Sequence, residues 1–265
     1  MTEIKRLIRD PYAIYAKHVL NLRPLDPLMK APDALLRGIV LHEVLETFIK
    51  ETQTDAKACT KERLMEITVS ILAEKVPWSE ARATWLARLE RVADWFVDGE
   101  FARRMLADPV DFEAESKAEL ASLNFTLTAK ADRIDRDRNG NLHIYDYKTG
   151  APPSRDQQTY YDKQLLLEAA MAERAGFGDL EPASVARAVF IGLGSGGKEA
   201  DAPLEAEPPD RVWAEFHDLI AAYLDPKTGF PSRRAMESKR DIGDYDQLAR
   251  FGEWDITDDP VKVPL

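Results

Sequence analysis

The segment RIDRDRNGNLHIYDYKTG, residues 133–150, limits the possible fold more than any other stretch of the chain. Asn139-Gly140 is a strong signal for a tight hairpin turn, because both residues tolerate the backbone conformation that such turns need. The apolar runs on either side are therefore predicted to be antiparallel strands. This pairing brings residues 132–135 alongside residues 142–148, with the exact register left open.

Two charged residues continue an apolar face of the second strand. If residues 142–148 are extended, side chains alternate between faces, so Asp146 and Lys148 point the same way as Leu142 and Ile144. Burying an unpaired ion is costly, so such charges are usually paired, bound to a metal or placed at a wet cleft. Taken alone, the segment fits this interpretation and a strand end frayed into solvent equally well.

Asp132, in the segment ADRID, lies on the partner strand. Pairing across the turn brings it towards Asp146, and two carboxylates at neighbouring strand ends form a hard-oxygen site that suits Mg²⁺. Lys148 is then placed to orient a metal-activated water or to stabilise negative charge on a phosphate.

Two further polar residues lie in predicted helices. His42, in GIVLHEVLETFI, shares a helical face with Leu35, Ile39 and Leu45. A histidine on such an apolar face is more often a satisfied core residue than a ligand. Gln164, in QLLLEAA, is most simply a solvent-facing residue, so neither pattern alone marks a site.

Composition excludes several classes of protein. The chain has 265 residues, 47 acidic against 36 basic, and a formal charge of −11, which argues against a protein that coats nucleic acid through a general positive field. A local DNA groove stays open. Cys59 is the only cysteine, which excludes an internal disulfide and a Cys-rich zinc or iron–sulfur site. The chain lacks a signal-like N-terminal core and an apolar run of about 18 residues, so a cytoplasmic location without membrane contact is expected.

The order of predicted elements indicates an α/β sandwich with a mixed sheet, since three antiparallel-type strands precede a crossover helix and a further strand. Helices are predicted after Asp10, from Asp33, and over 57–74, 79–101, 157–174 and 210–224. Strands are predicted over 112–123, 125–136, 142–148 and 186–193. We expect one domain over 1–265, with a helical part at 1–107, an α/β core at 108–225 and an irregular tail at 226–265.

Four motifs in order, GIVLHEVLE, ADRID, IYDYKTG and QLLLEAA, resemble those of the PD-(D/E)XK nuclease superfamily, specifically its RecB-like branch. The flanking segments IRDPYAIYAKHVLNLRPLDPL and GDYDQLARFGEW are similar to the C-terminal nuclease region of bacterial AddB subunits. Those subunits belong to AddAB helicase–nucleases, which process double-strand breaks. The resemblance implies a restriction-endonuclease-like core, in which helices flank a mixed central sheet in the order αβββαβ, with an N-terminal helical extension.

The resemblance also implies roles for individual residues. The metal ligands would be His42, Asp132 and Asp146, with the backbone carbonyl of Tyr147 completing the set. Lys148 would be the catalytic lysine, acting with Asp146 and Asp132, and Gln164 would position the substrate or the motif strand. The implied reaction is hydrolysis of a DNA phosphodiester, probably exonucleolytic at break ends, by water on Mg²⁺ or Mn²⁺. The implied partners are DNA, an AddA-type subunit and the rest of an AddB-type chain.

The sequence departs from the family pattern at three points. Asp10 precedes Pro11-Tyr12 where many AddB-like nucleases have an iron–sulfur cysteine, so no cluster is expected. Glu168 stands where tyrosine is common in the glutamine motif. The helicase-like region of AddB subunits does not precede the nuclease motifs here, as expected for either an excised domain or a stand-alone relative.

Two alternatives compete with a nuclease. Gly192, Gly197 and Lys198 fit the frame of a phosphate-binding loop in a nucleotide-binding protein, although Glu199 stands where a hydroxyl residue is needed. The second is a catalytically silent nuclease fold that binds DNA or a helicase partner. The intact set of His42, Asp132, Asp146 and Lys148 argues against it.

Overall fold

The computed structural model describes residues 1–25, 28–235, 242–255, 257–259 and 261. The helices are α1 (Thr2–Arg9), α2 (Pro11–His18), α3 (Ala34–Thr54), α4 (Lys61–Lys75), α5 (Ser79–Leu106), α6 (Arg155–Tyr160), α7 (Gln164–Arg174) and α8 (Pro209–Leu224). The strands are β1 (Asp108–Leu120), β2 (Phe125–Arg136), β3 (Leu142–Lys148), β4 (Val185–Gly192) and β5 (Lys198–Asp201).

The five strands form one mixed sheet in the order β1-β2-β3-β4-β5. Neighbouring strands are antiparallel except for β3 and β4, which are parallel and are joined through α6 and α7. Parallel neighbours need such a crossover connection, so the chain order of elements sets this pairing. The mixed α/β fold class predicted from the sequence is confirmed.

Helices cover both faces of the sheet. One face packs against α1, α7 and α8, which we call the α7 layer; its helical residues include Ile4, Leu166 and Phe216. The other face packs against α3, α4 and α5, which we call the α5 layer; its helical residues include Phe48, Leu64 and Phe96. Strand β3 is buried between the two layers, which explains its apolar character on both faces.

Two expectations about secondary structure were wrong. The single helix predicted over 157–174 is divided into α6 and α7, because the backbone N–H groups of Tyr161 and Asp162 both bond to the Gln157 carbonyl and end the first helix. The loop predicted after residue 193 contains β5, which pairs with β4 across a turn where Gly196 and Gly197 have positive φ.

The β4–β5 hairpin excludes a phosphate-binding loop. Lys198 is the first residue of β5 and pairs with Gly192. A phosphate-binding loop leads from a strand into the N-terminus of a helix, whose backbone N–H groups hold the phosphate. A strand follows the glycines here, so those donors are used within the sheet.

The remaining elements agree with the predicted division of the chain. Helix α5 ends at Leu106, β1 begins at Asp108 and α8 ends at Leu224, while the described part of the tail after residue 225 contains turns but no helix or strand. Within the described residues, no helix has the combined length and apolar character needed to cross a membrane.

A buried ion network joins β2 to α5. The Arg133 guanidinium donates to both oxygens of Asp135, at 2.6 and 2.7 Å, and to the Glu100 carboxylate at 2.6 Å. All three side chains are fully buried. The network lies beside the Tyr147 hydroxyl, 3.5 Å from Arg133, so it fixes the end of β3 relative to the helical layer.

Replacing Arg133 with Met is expected to lower the free energy of unfolding by about 3–5 kcal/mol, because the carboxylates of Glu100 and Asp135 then stay buried without this cation. Urea denaturation followed by circular dichroism measures the loss. Arg63, a surface arginine paired with Glu51, provides the control, and Arg63→Met is expected to stay close to wild type. Equal losses in the two variants would contradict a structural role for the network.

Candidate metal and catalytic site

Strand β2 changes faces at Asp132. Ala131 packs in the α7 layer, yet Arg133, two residues further on, reaches the α5 layer, whereas a regular strand puts both on one face. The β2–β3 ladder stops at the pair Arg133 and Tyr145. Asp132 is therefore released from strand pairing, and its carboxylate accepts the Tyr147 N–H at 2.8 Å.

Strand β1 has a matching irregularity at Glu113. Its φ of 52° lies in the left-handed region that non-glycine residues rarely adopt. Phe112 consequently packs in the α5 layer and Ala114 in the α7 layer. The pairing on either side places Glu113 opposite Asp132, so two adjacent backbone irregularities bring two carboxylates together.

His42 completes this group from α3. Its Nδ1 lies 3.4 Å from Asp132 Oδ1 and 4.0 Å from Glu113 Oε1, while its Nε2–H donates to the Tyr147 carbonyl at 2.8 Å. Among the described residues, His42, Glu113 and Asp132 offer ligand atoms within 4.8 Å of one another, close enough for one metal ion. Glu113 also forms an ion pair with Lys130.

The helical face predicted for His42 was partly wrong. Leu35 and Ile39 are exposed, and the buried face of α3 is formed instead by Val40, Val44 and Phe48. His42 lies at the edge of that face with 28% of its side chain exposed. This edge position lets the ring reach the end of the sheet rather than the core.

Four side chains form a second, adjoining group on the α7 side of β3. Lys148 Nζ lies 2.7 Å from Asp146 Oδ2 and donates to Gln164 Oε1 at 3.0 Å. The Gln164 amide donates to Asp146 Oδ1 at 2.5 Å and to Glu168 Oε1 at 3.1 Å. Gln164 is thus buried in the site rather than solvent-facing, and it fixes Asp146 and Lys148 relative to α7.

The two groups meet at Tyr147. Its N–H is bound by Asp132 and its carbonyl by His42, while Asp146 and Lys148 flank it on β3. The structure therefore brings together every side chain predicted from the sequence. It adds Glu113, which pairing the predicted strands across the turn at Asn124 would have placed opposite Asp132.

Electrostatics set the protonation states of the site. Burial lowers the pKa of His42, but hydrogen bonding and charge from Asp132 outweigh it and raise that pKa to about 9. Burial raises the pKa of Asp146 to about 6, although Lys148 opposes the shift. Burial lowers the pKa of Lys148, and the opposing attraction of Asp146 gives a net rise. Lys148 is therefore a cation at neutral pH.

Glu168 contributes a neutral acid. It is 1% exposed, and burial, followed by repulsion from Asp146, raises its pKa well above the usual range of a glutamate. A protonated carboxyl can both donate and accept hydrogen bonds, as the hydroxyl of a tyrosine does. Glu168 can thus replace the tyrosine common at this position as the partner of Gln164.

Glu168→Gln tests this protonation state. The folded pKa of Glu168 lies above its unfolded value of about 4.5, so its contribution to stability is present at low pH and is lost as pH rises above that value. Replacement by Gln removes this loss, and we expect the variant to gain about 1–3 kcal/mol over wild type between pH 5 and pH 8. Urea denaturation at both pH values measures the gain.

Glu62→Gln, on the exposed face of α4, is the matched control. Its difference from wild type should be the same at both pH values. A pH-independent difference for Glu168→Gln would show that the carboxyl is already charged in the folded protein at pH 5.

Helices on both faces of a mixed sheet, with carboxylates, an imidazole and a lysine at one strand end, define an α/β protein with a nuclease-type site. A model of the PD-(D/E)XK nuclease superfamily matches residues 1–238, and the chain belongs to this superfamily. Membership indicates a nuclease, and nucleases of this superfamily use divalent metal ions.

Curated relatives come from Rickettsia. An uncharacterized protein of Rickettsia bellii is 29% identical over 180 residues, covering 67% of this chain, and one of Rickettsia felis is 28% identical over 199 residues, covering 72%. The chain spans 22% and 23% of the lengths of these two relatives. The crystal structure of SSO0001 aligns with 72% of this chain and 89% of its own, at 14% identity and a TM-score of 0.30, too distant a match to support the assignment.

Proposed function

We propose that the protein is a divalent-metal-dependent deoxyribonuclease that hydrolyses DNA phosphodiester bonds at the end of β3. One observation carries the proposal: the Asp146–Lys148 ion pair adjoins the His42, Glu113 and Asp132 group across a single residue, Tyr147. A cation beside a carboxylate-rich site is what phosphodiester hydrolysis needs, because negative charge develops on the phosphate in the transition state.

The donor set fits Mg²⁺ or Mn²⁺. Carboxylate oxygens suit both ions, and an imidazole nitrogen favours Mn²⁺, which precedes the softer divalent metals in affinity but accepts nitrogen more readily than Mg²⁺ does. His42 Nδ1, Asp132 and Glu113 would hold the ion, with Asp146 beside them. Its Nε2–H bond to the Tyr147 carbonyl orients the ring, as such outer contacts do at metal sites.

A bound divalent ion supplies a Lewis acid and an activated water. The protein's own residues do the rest. Lys148, held as a cation by Asp146, stabilises the charge that accumulates on the phosphate oxygens. Gln164 holds both side chains in place, and the backbone of Tyr147 fixes the distance between the two groups. The Tyr147 carbonyl, predicted as a metal ligand, stays a candidate for that role once His42 moves to an ion.

The motif resemblance supports a more specific role. We infer an AddB-type nuclease domain in the cytoplasm that acts, probably as an exonuclease, on the DNA ends of double-strand breaks for recombinational repair. Its partners would be an AddA-type helicase–nuclease subunit and further AddB-type sequence. The relatives, several times longer than this chain, are consistent with a nuclease domain that works within a larger protein.

The direct test is a nuclease assay on linear DNA labelled at either end, with Mn²⁺, Mg²⁺ or chelator. We expect cleavage only with a divalent ion, and release of label from one end first if the enzyme is an exonuclease. DNA binding without cleavage under any of these conditions would contradict the proposal and favour the catalytically silent nuclease-fold module.

A further inference from the structure

A pocket of about 180 Å³ opens beside the candidate site on the α7 side of the sheet. Lys148 and Gln164 belong to both the site and the pocket wall. Ile4 of α1 and Leu167 of α7 add apolar surface. A molecule whose phosphate lies at Lys148 can therefore extend directly into this pocket.

The rim of the pocket is cationic. Lys5 of α1 and Lys163, just before α7, line it together with Lys148. Lys5 Nζ lies 2.8 Å from Asp162 Oδ2, and Lys163 Nζ lies 3.2 Å from Glu207 Oε2, so both ammonium groups are held at the rim by ion pairs. Three lysines around one pocket reverse the local charge of a chain whose formal charge is −11.

An apolar wall, a cationic rim and a buried carboxylate match the parts of a nucleotide. A base or sugar packs against Ile4 and Leu167, and an adjacent phosphate pairs with Lys5 or Lys163. Asp162, which is 8% exposed, can accept a hydrogen bond from an exocyclic amine of a base. The pocket is far larger than the roughly 30 Å³ that one water occupies in the liquid, so it admits an organic group.

We propose that this pocket binds the nucleoside next to the scissile phosphate, so the substrate strand is unpaired at that position. The inference rests on the proposed nuclease function. A base in a duplex must be unstacked and unpaired before it can enter a concave pocket, which costs a few kcal/mol. The enzyme therefore prefers single-stranded DNA or frayed ends to a blunt duplex.

Steady-state kinetics with Mn²⁺ test the pocket, using a single-stranded oligonucleotide, the matching blunt duplex, and bis(p-nitrophenyl) phosphate, a diester too small to fill it. For Lys5→Glu, we expect KM for the oligonucleotide to rise at least tenfold with kcat changed less than threefold. Deoxycytidine 5′-monophosphate should inhibit wild type competitively and Lys5→Glu much less, whereas inorganic phosphate at the same concentration should inhibit wild type only weakly.

Lys61→Glu, which breaks a comparable lysine–carboxylate pair on α4, is the control and should leave these constants unchanged. Lys5→Gln replaces Lys5→Glu if charge reversal prevents folding, and a smaller rise in KM is then expected. Equal cleavage of single strand and duplex, with KM of the Lys5 variants within twofold of wild type, would overturn the pocket assignment alone. Failure of the wild type to hydrolyse even bis(p-nitrophenyl) phosphate would overturn the proposed function as well.

Discussion

Lys148→Met is expected to reduce DNA cleavage by a factor of about 10²–10³, the usual effect of removing one group that stabilises transition-state charge. The ammonium group lies 2.7 Å from Asp146 and is held as a cation, so it acts through its charge and not as a base. Single-turnover cleavage of end-labelled DNA at saturating Mn²⁺ measures the chemical step without product release.

Metal binding separates this role from a role in holding the ion. Calorimetric titration with Mn²⁺ should show that Lys148→Met binds the ion at least as tightly as wild type, because the variant removes a positive charge from the site. Lys61→Met, on the surface of α4, controls for loss of an ion-paired lysine and should cleave normally. Cleavage by Lys148→Met within tenfold of wild type would rule out a catalytic lysine at this position.

The core of the site is predictable because local signals agree there. The Asn139-Gly140 turn and the alternation before it give β2 and β3 with the bounds that the structure has. Once these strands pair, Asp132, Asp146 and Lys148 must lie near one another. His42 and Gln164 gain meaning only from the motif resemblance, since each alone fits an ordinary helix residue.

Glu113 escapes sequence reasoning for a physical reason. Its place in the site depends on a left-handed φ inside a strand, and glutamate is not among the residues that favour this conformation. The strain is sustained by packing of Phe112 and Ala114 into opposite layers. Tertiary packing of this kind leaves no periodic signal in the sequence.

Burial of Glu168 is likewise a tertiary effect. Residues 165–172 are all buried, because α7 lies between the sheet and α8. A helix covered on all sides does not show the amphipathic pattern from which exposure is normally inferred. The short strand β5 depends in the same way on its partner, since only pairing with β4 distinguishes it from a loop.

Asp146→Asn is expected to abolish metal-dependent cleavage while leaving the fold at least as stable. Asparagine keeps the shape of the side chain and can still accept the Gln164 amide hydrogen, but it removes the charge that a divalent ion and Lys148 both require. Burial raises the pKa of Asp146 to about 6, which means that the folded protein is penalised for the charged form at neutral pH. Removing that charge relieves the penalty.

Two measurements on the same samples test this trade-off between stability and activity. Cleavage should fall by at least about 10³, since the ion contributes several kcal/mol of transition-state stabilisation. The free energy of unfolding at pH 8 without metal should equal or exceed that of wild type, and added Mn²⁺ should stabilise the wild type more than the variant. Asp94→Asn, on the surface of α5, should change neither quantity. A variant that loses cleavage only because it unfolds would instead place Asp146 among the structural ion pairs, with Arg133 and Glu100, and outside the catalytic site.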